Sequence, residues 1–115
     1  MGKVCVITGA SQGIGRAAAV RMSREADVDA LVLIARSASG LEGTAAELSA
    51  DGKRVELIPY DLTDLEGIPR LVERIHRDYD GRVHLGVSVD EPGHEVLRET
   101  GRFLWFFPPE VEVVE

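Results

Sequence analysis

The run Val4-Cys5-Val6-Ile7-Thr8 is followed at once by Gly9, Gly13 and Gly15. A continuous apolar, β-branched run of this length reads as a strand buried on both faces. From Gly13 the period becomes helical, with Ile14, Ala17, Ala18, Arg21, Met22 and Glu25 in step. In a glycine-rich turn between a buried strand and a helix, the backbone N–H groups at the helix N-terminus face an anion, and the helix dipole favours negative charge there. Glycine serves where a Cβ would block close approach or where φ is positive. The turn therefore predicts a phosphate-binding loop, and it restricts the rest of the chain to folds that carry such a loop on a parallel sheet.

The rest of the chain supplies such a sheet. Ala30-Leu31-Val32-Leu33-Ile34-Ala35 is a second buried run, and Val55-Glu56-Leu57-Ile58-Pro59 a third. Between them Leu41, Ala45 and Leu48 mark a helix expected to end near Asp51-Gly52, with glycine in the usual stop position. Asp64 is the expected N-cap of a helix whose stripe runs Leu65, Ile68, Val72, Ile75, Tyr79. Gly81 stops that helix, and Val83 to Val89 form a fourth strand. Alternating strands and helices predict an α/β chain with a Rossmann-like doubly wound parallel sheet of order 3-2-1-4. Phe103-Leu104-Trp105-Phe106-Phe107 offers a fifth strand from the tail.

Charge divides the chain. The net charge is −7, which argues against a nucleic-acid partner, because phosphate backbones call for clustered Lys and Arg. Residues 1–83 carry 13 acids and 11 bases, whereas residues 84–115 carry 7 acids and 2 bases. We therefore expect an acidic, aromatic-containing tail over residues 90–115, set apart from an α/β domain over residues 1–89. No stretch approaches the roughly 18–20 apolar residues of a membrane span. The first strand begins too early for a targeting peptide, so a soluble cytoplasmic chain is the expectation. The lone Cys5 sits in an apolar run and reads as a small buried hydrophobe. His76, His84 and His94 show no metal-ligand spacing with it, and His76 reads as a solvated residue of a charged helix.

The spacing Thr8-Gly9-x-x-x-Gly13-x-Gly15, within "GKVCVITGASQGIGRAAA", resembles the short-chain dehydrogenase/reductase family. "LVLIARS" and "VELIPYDLTD" resemble that family's second strand and third-strand exit, so the likeness covers roughly residues 2–85. The resemblance implies a Rossmann-like fold, with residues 1–89 as a partial NAD(P)-binding domain, and hydride transfer between NAD(P)H and a carbonyl or alcohol. It implies that Gly9, Gly13 and Gly15 line the pyrophosphate, with Ser11, Gln12 and Ile14 along the same loop. It implies that Asp61 and Leu62 contact the adenine; the plain alternative for Asp61 is that it caps a turn. An acid at the end of the second strand would bind a ribose 2′-OH and repel a 2′-phosphate. Here Arg36 and Ser37 stand instead, a guanidinium fork and a hydroxyl suited to phosphate, which favours NADP(H) over NAD(H); the plain alternative for Arg36 is a solvated surface charge. Arg16 reads as a surface residue.

Family catalysis uses a Tyr and a Lys four residues on, because a phenol with an intrinsic pKa of about 10 needs a cationic partner near neutral pH. The only tyrosines are Tyr60 and Tyr79, followed four residues later by Asp64 and Val83. The only lysines are Lys3 and Lys53, and the chain has no asparagine. No catalytic residue is therefore assigned, and Ser88, Asp90 and Glu91 are not read as a catalytic set. The readings left open are a truncated NADP(H)-dependent reductase that lacks catalysis, a non-catalytic nucleotide-binding module, and an unstable fragment with a divergent ending.

Overall fold

The computed structural model describes residues 3–49 and 52–79, together with the strand backbones of residues 83–87 and 105–106. In chain order the elements are β1 (Lys3–Thr8), α1 (Gly13–Met22), β2 (Val28–Ala35), α2 (Ala38–Ala45), β3 (Arg54–Pro59), a 3₁₀ turn (Leu65–Gly67), α3 (Ile68–Asp78), β4 (Val83–Val87) and β5 (Trp105–Phe106). The strands form one sheet of order β3-β2-β1-β4-β5, and every pairing is parallel. The expected order 3-2-1-4 is present. Of the aromatic run, Trp105 and Phe106 add a short fifth strand beside Gly86 and Val87.

The alternation of side chains along a strand divides the apolar residues between two layers. Cys5, Ile7, Leu31 and Leu33 face α1 and α2, packing on Ala18, Ala19 and Leu41. Val4, Val6, Ala30, Val32, Ile34 and Ile58 face α3, packing on Leu71, Ile75 and Tyr79. Both faces of β1 and β2 are buried, which explains why these strands read as unbroken apolar runs. Cys5 is fully buried, and burial pushes its thiol pKa up to about 12. His76 is half-buried rather than solvated.

Two helix boundaries differ from expectation. Helix α2 stops at Ala45, and the chain then tightens into i→i+3 bonds from Glu47 N–H to the Thr44 carbonyl and from Leu48 N–H to that of Ala45. Leu48 still packs on the core, so the apolar spacing outlasts the helix. Asp64 makes no side-chain cap; the Leu65–Gly67 turn follows it, and α3 starts at Ile68 with Pro69 in its first turn. The expected strand residues Val89 and Phe103, the stop at Gly81, and Ser88, Asp90 and Glu91 lie outside the described residues.

Both lysines are committed at the amino-terminal ends of the strands. Lys3 pairs with Asp27 at 3.1 Å. Lys53 donates to the carbonyls of Glu25 and Val28 at 2.6 and 2.5 Å. The tyrosines are likewise engaged. Tyr60 donates to the Asp64 carbonyl at 2.6 Å. Tyr79 donates to Glu56 at 2.7 Å, beneath the Arg54 guanidinium, which lies 4.4 Å from its ring centre. Burial, and then the Glu56 carboxylate, raise the pKa of the Tyr79 phenol.

Candidate dinucleotide site

At the carboxyl ends of β1, β2 and β3 lies a cleft of about 970 Å³. This end of an open parallel sheet is where α/β folds bind ligands. Its walls are Gly9, Ser11, Gln12, Gly13 and Ile14 from the β1–α1 loop, Ala35, Arg36 and Ser37 from the end of β2, and Asp61 and Thr63 from the β3 exit. Eight of the ten residues singled out from the sequence thus meet in one cleft, drawn from three chain segments.

The loop's geometry follows from its glycines. Gly9 has φ +63° and Gly13 φ +57°, a backbone region that is strained for residues with a Cβ. Gly15 does not line the cleft. It is buried against the loop's own backbone, where a Cβ would stand 2.1 Å from the Gly9 carbonyl oxygen. Its absent side chain lets α1 close onto β1. The Arg16 amide donates to the Gln12 carbonyl, so the amides of Gly13, Ile14 and Gly15 precede the helix's own ladder. Ile14 is 45% exposed and presents an apolar side chain at the cleft wall.

The end of β2 supplies the charge. Arg36 and Ser37 are both exposed. The Ser37 hydroxyl oxygen accepts the Gly40 N–H at 2.9 Å, capping α2, and lies 3.2 Å from the Ser39 hydroxyl. An oxygen used as an acceptor in this way keeps its own proton for a second partner.

At the β3 exit, Asp61 Oδ1 accepts both the Thr63 N–H at 2.9 Å and the Thr63 hydroxyl at 2.7 Å. These bonds, first the backbone and then the hydroxyl, hold the carboxyl below its ordinary range, and the Arg36 charge across the cleft adds to them. Asp61 therefore caps a turn and faces the cleft at once. Leu62 points the other way, into a cluster with Ile68 and Val72.

Two of the lining residues, Ala35 and Thr63, were not anticipated. The Asp-x-Thr spacing is itself the signature of a side chain capping its own turn, and it was available to mark Thr63. Arg16 is a structural cross-link. Its guanidinium pairs with Glu47 and donates to the Gly43 carbonyl at 3.3 Å.

The sequence profile of the family described as short chain dehydrogenase matches residues 3–89. The chain belongs to the short-chain dehydrogenase family. Among curated relatives, a fatty acyl-CoA reductase of Acinetobacter baylyi is 34% identical over 97 residues, covering 84% of this chain and 31% of that protein. Among solved structures, an alcohol dehydrogenase of the archaeon Thermococcus sibiricus, complexed with 5-hydroxy-NADP, is 35% identical with a TM-score of 0.66. That match covers 78% of this chain and 37% of the other. The L-sorbose reductase of Gluconobacter frateurii, complexed with NADPH and L-sorbose, is 36% identical with a TM-score of 0.63, covering 75% and 32%. The chain spans about a third of the length of the curated relatives it matches. Among the described residues no helix is long and apolar enough to cross a membrane.

Proposed function

We propose that this short-chain dehydrogenase chain binds NADP(H) in the cleft at the carboxyl end of the sheet, as the dinucleotide-binding part of an oxidoreductase acting on carbonyls or alcohols. The observation that carries the reading is Arg36 with Ser37 in the wall of the same cleft as the glycine loop. A guanidinium fork and a hydroxyl with a proton to give are the donor set for a ribose 2′-phosphate. The open space beside Gly13 and the amides at the start of α1 suit a pyrophosphate. Asp61, ionised and held by Thr63, is positioned to accept a hydrogen bond from an adenine amino group. Leu62 holds that turn from beneath, packed with Ile68 and Val72. The NADP-type ligands named for the Thermococcus sibiricus and Gluconobacter frateurii proteins support the same cofactor class.

When bound, such a cofactor supplies the hydride. In this reading the chain's own residues bind and orient it, and residues 1–89 form that binding unit. No Tyr-x-x-x-Lys pair is present in the sequence, Tyr60 and Tyr79 are bonded within the fold, and both lysines serve the opposite end of the sheet. These 115 residues by themselves therefore hold cofactor without reducing a carbonyl. The reading is tested by thermal melts of the chain alone, with NADPH and with NADH. A ligand that binds only the folded state at a hundredfold excess over Kd adds about 2.7 kcal/mol of stability. NADPH is expected to raise the melt more than NADH does at equal concentration. A melt indifferent to both would contradict the reading.

A further inference from the structure

One face of α2 docks on the glycine loop and on α1. Gly40, Gly43 and Thr44 recur at i, i+3 and i+4, the spacing of a single helical face, and Glu47 follows just beyond the end of the helix. Each meets a residue of the loop or of α1. A Cβ on Gly40 would stand 2.7 Å from Ser11 Cβ, so α2 rests directly on the loop there. Arg16 bonds to Gly43 and Glu47. The Thr44 hydroxyl, fully buried, donates to the Ala10 carbonyl at 2.7 Å and shares its proton with the Gly40 carbonyl at 3.2 Å.

The bond to Ala10 stands out. Ala10 follows Gly9 in the loop and is itself fully buried. Its N–H donates to the Ile34 carbonyl on β2 at 3.2 Å, and its carbonyl takes the Thr44 proton. One peptide unit on each side of Ala10 is thus anchored to a different rigid element. The residues just beyond, Ser11 to Ile14, line the cleft, and the amides of Gly13, Ile14 and Gly15 precede the ladder of α1. Orienting such amides before the anion arrives saves the ordering cost of binding.

We infer that Thr44 is a positioning residue for the dinucleotide: through the Ala10 carbonyl it fixes the loop that receives the pyrophosphate, without touching the ligand. The inference rests on the cofactor reading above. It predicts a selective defect. A loosened loop weakens ligands that carry a pyrophosphate and spares those that use only the Arg36 and Ser37 end.

The test titrates the full chain with NADPH and with adenosine 2′-monophosphate, which has the 2′-phosphate and no pyrophosphate. Thr44→Val removes the hydroxyl at nearly constant volume, and Thr44→Ser keeps it. Thr44→Ala is a second hydroxyl-free variant, with urea unfolding recorded for each. Without the hydroxyl, NADPH affinity is expected to fall about tenfold, the size of one lost buried hydrogen bond. Adenosine 2′-monophosphate should stay within about twofold, and Thr44→Ser should regain most of the NADPH affinity. NADPH binding unchanged in both hydroxyl-free variants, an equal loss for both ligands, or no rescue by Thr44→Ser would overturn this inference alone. Wild-type chain that binds neither ligand would overturn the cofactor reading and this inference with it.

Discussion

Gly13 and Gly15 are separated by one residue and are required for different physical reasons, which a pair of alanine variants should expose. At Gly15 a Cβ would lie 2.1 Å from the Gly9 carbonyl oxygen, 2.6 Å from the Gly9 carbonyl carbon and 3.0 Å from the Thr8 carbonyl oxygen. All three obstacles are backbone, so no rotamer change relieves them, and β1 and α1 must separate. Overpacking that moves backbone costs about 3 kcal/mol or more. At Gly13 a Cβ meets nothing within 4 Å, and only φ of +57° stands against it. That conformation costs a residue with a side chain about 1 kcal/mol. With a urea m-value of about 1 kcal/mol/M, Gly13→Ala should lower the unfolding midpoint by about 1 M and Gly15→Ala by about 3 M. Gly13→Ala should also weaken cofactor binding out of proportion to its stability loss, because its methyl enters the ligand's space. Equal midpoint shifts, or a larger one for Gly13→Ala, would refute the assignment of Gly15 to packing and Gly13 to the ligand wall.

Two further perturbations follow from the core. The buried Cys5 thiol, pushed up to about 12, stays protonated when folded while the unfolded chain ionises, so the unfolded state binds fewer protons above about pH 9. Stability from this group is therefore complete below that pH and is lost as pH rises toward 12, by about 1.4 kcal/mol per pH unit. Urea unfolding from pH 8 to 10.5 should show a steeper loss for wild type than for Cys5→Ala, and equal slopes would contradict the burial. Tyr79→Phe removes a donor to Glu56, but Arg74 still bonds that carboxylate at 2.5 Å. The cost by urea unfolding should be about 1 kcal/mol; a loss above about 3 kcal/mol would mean that the Arg74 contact does not compensate.

The sheet was legible because β1 and β2 are buried on both faces, and Val4–Thr8 and Ala30–Ala35 therefore carry unbroken apolar runs. The glycine loop was legible because positive φ and close approach both demand glycine, and the sequence shows it at each such place. Helix ends were less so. Leu48 continues the apolar spacing of α2 although the chain has already left the helix, since packing constrains side-chain position more than backbone type. Asp64 has a capping side chain by type, yet its own carbonyl is claimed by Tyr60 and the helix begins later. The roles of Thr44 and Arg16 were hidden because both depend on pairings across more than twenty residues, which no local pattern encodes. The division between Gly13 and Gly15 was equally invisible, since identical letters serve a cleft wall and a packing contact.

The central claim is that the cleft holds a 2′-phosphorylated dinucleotide through Arg36. Calorimetric titration of wild type and Arg36→Ala with NADPH and with NADH tests it most directly. A charge-assisted pair at the cleft wall should contribute about 1.5–3 kcal/mol, or roughly ten- to a hundredfold in Kd. The account predicts tighter binding of NADPH than NADH by wild type, and a loss of that preference in Arg36→Ala with NADH affinity little changed. Wild type that prefers NADH, or Arg36→Ala that keeps the NADPH preference, would contradict it.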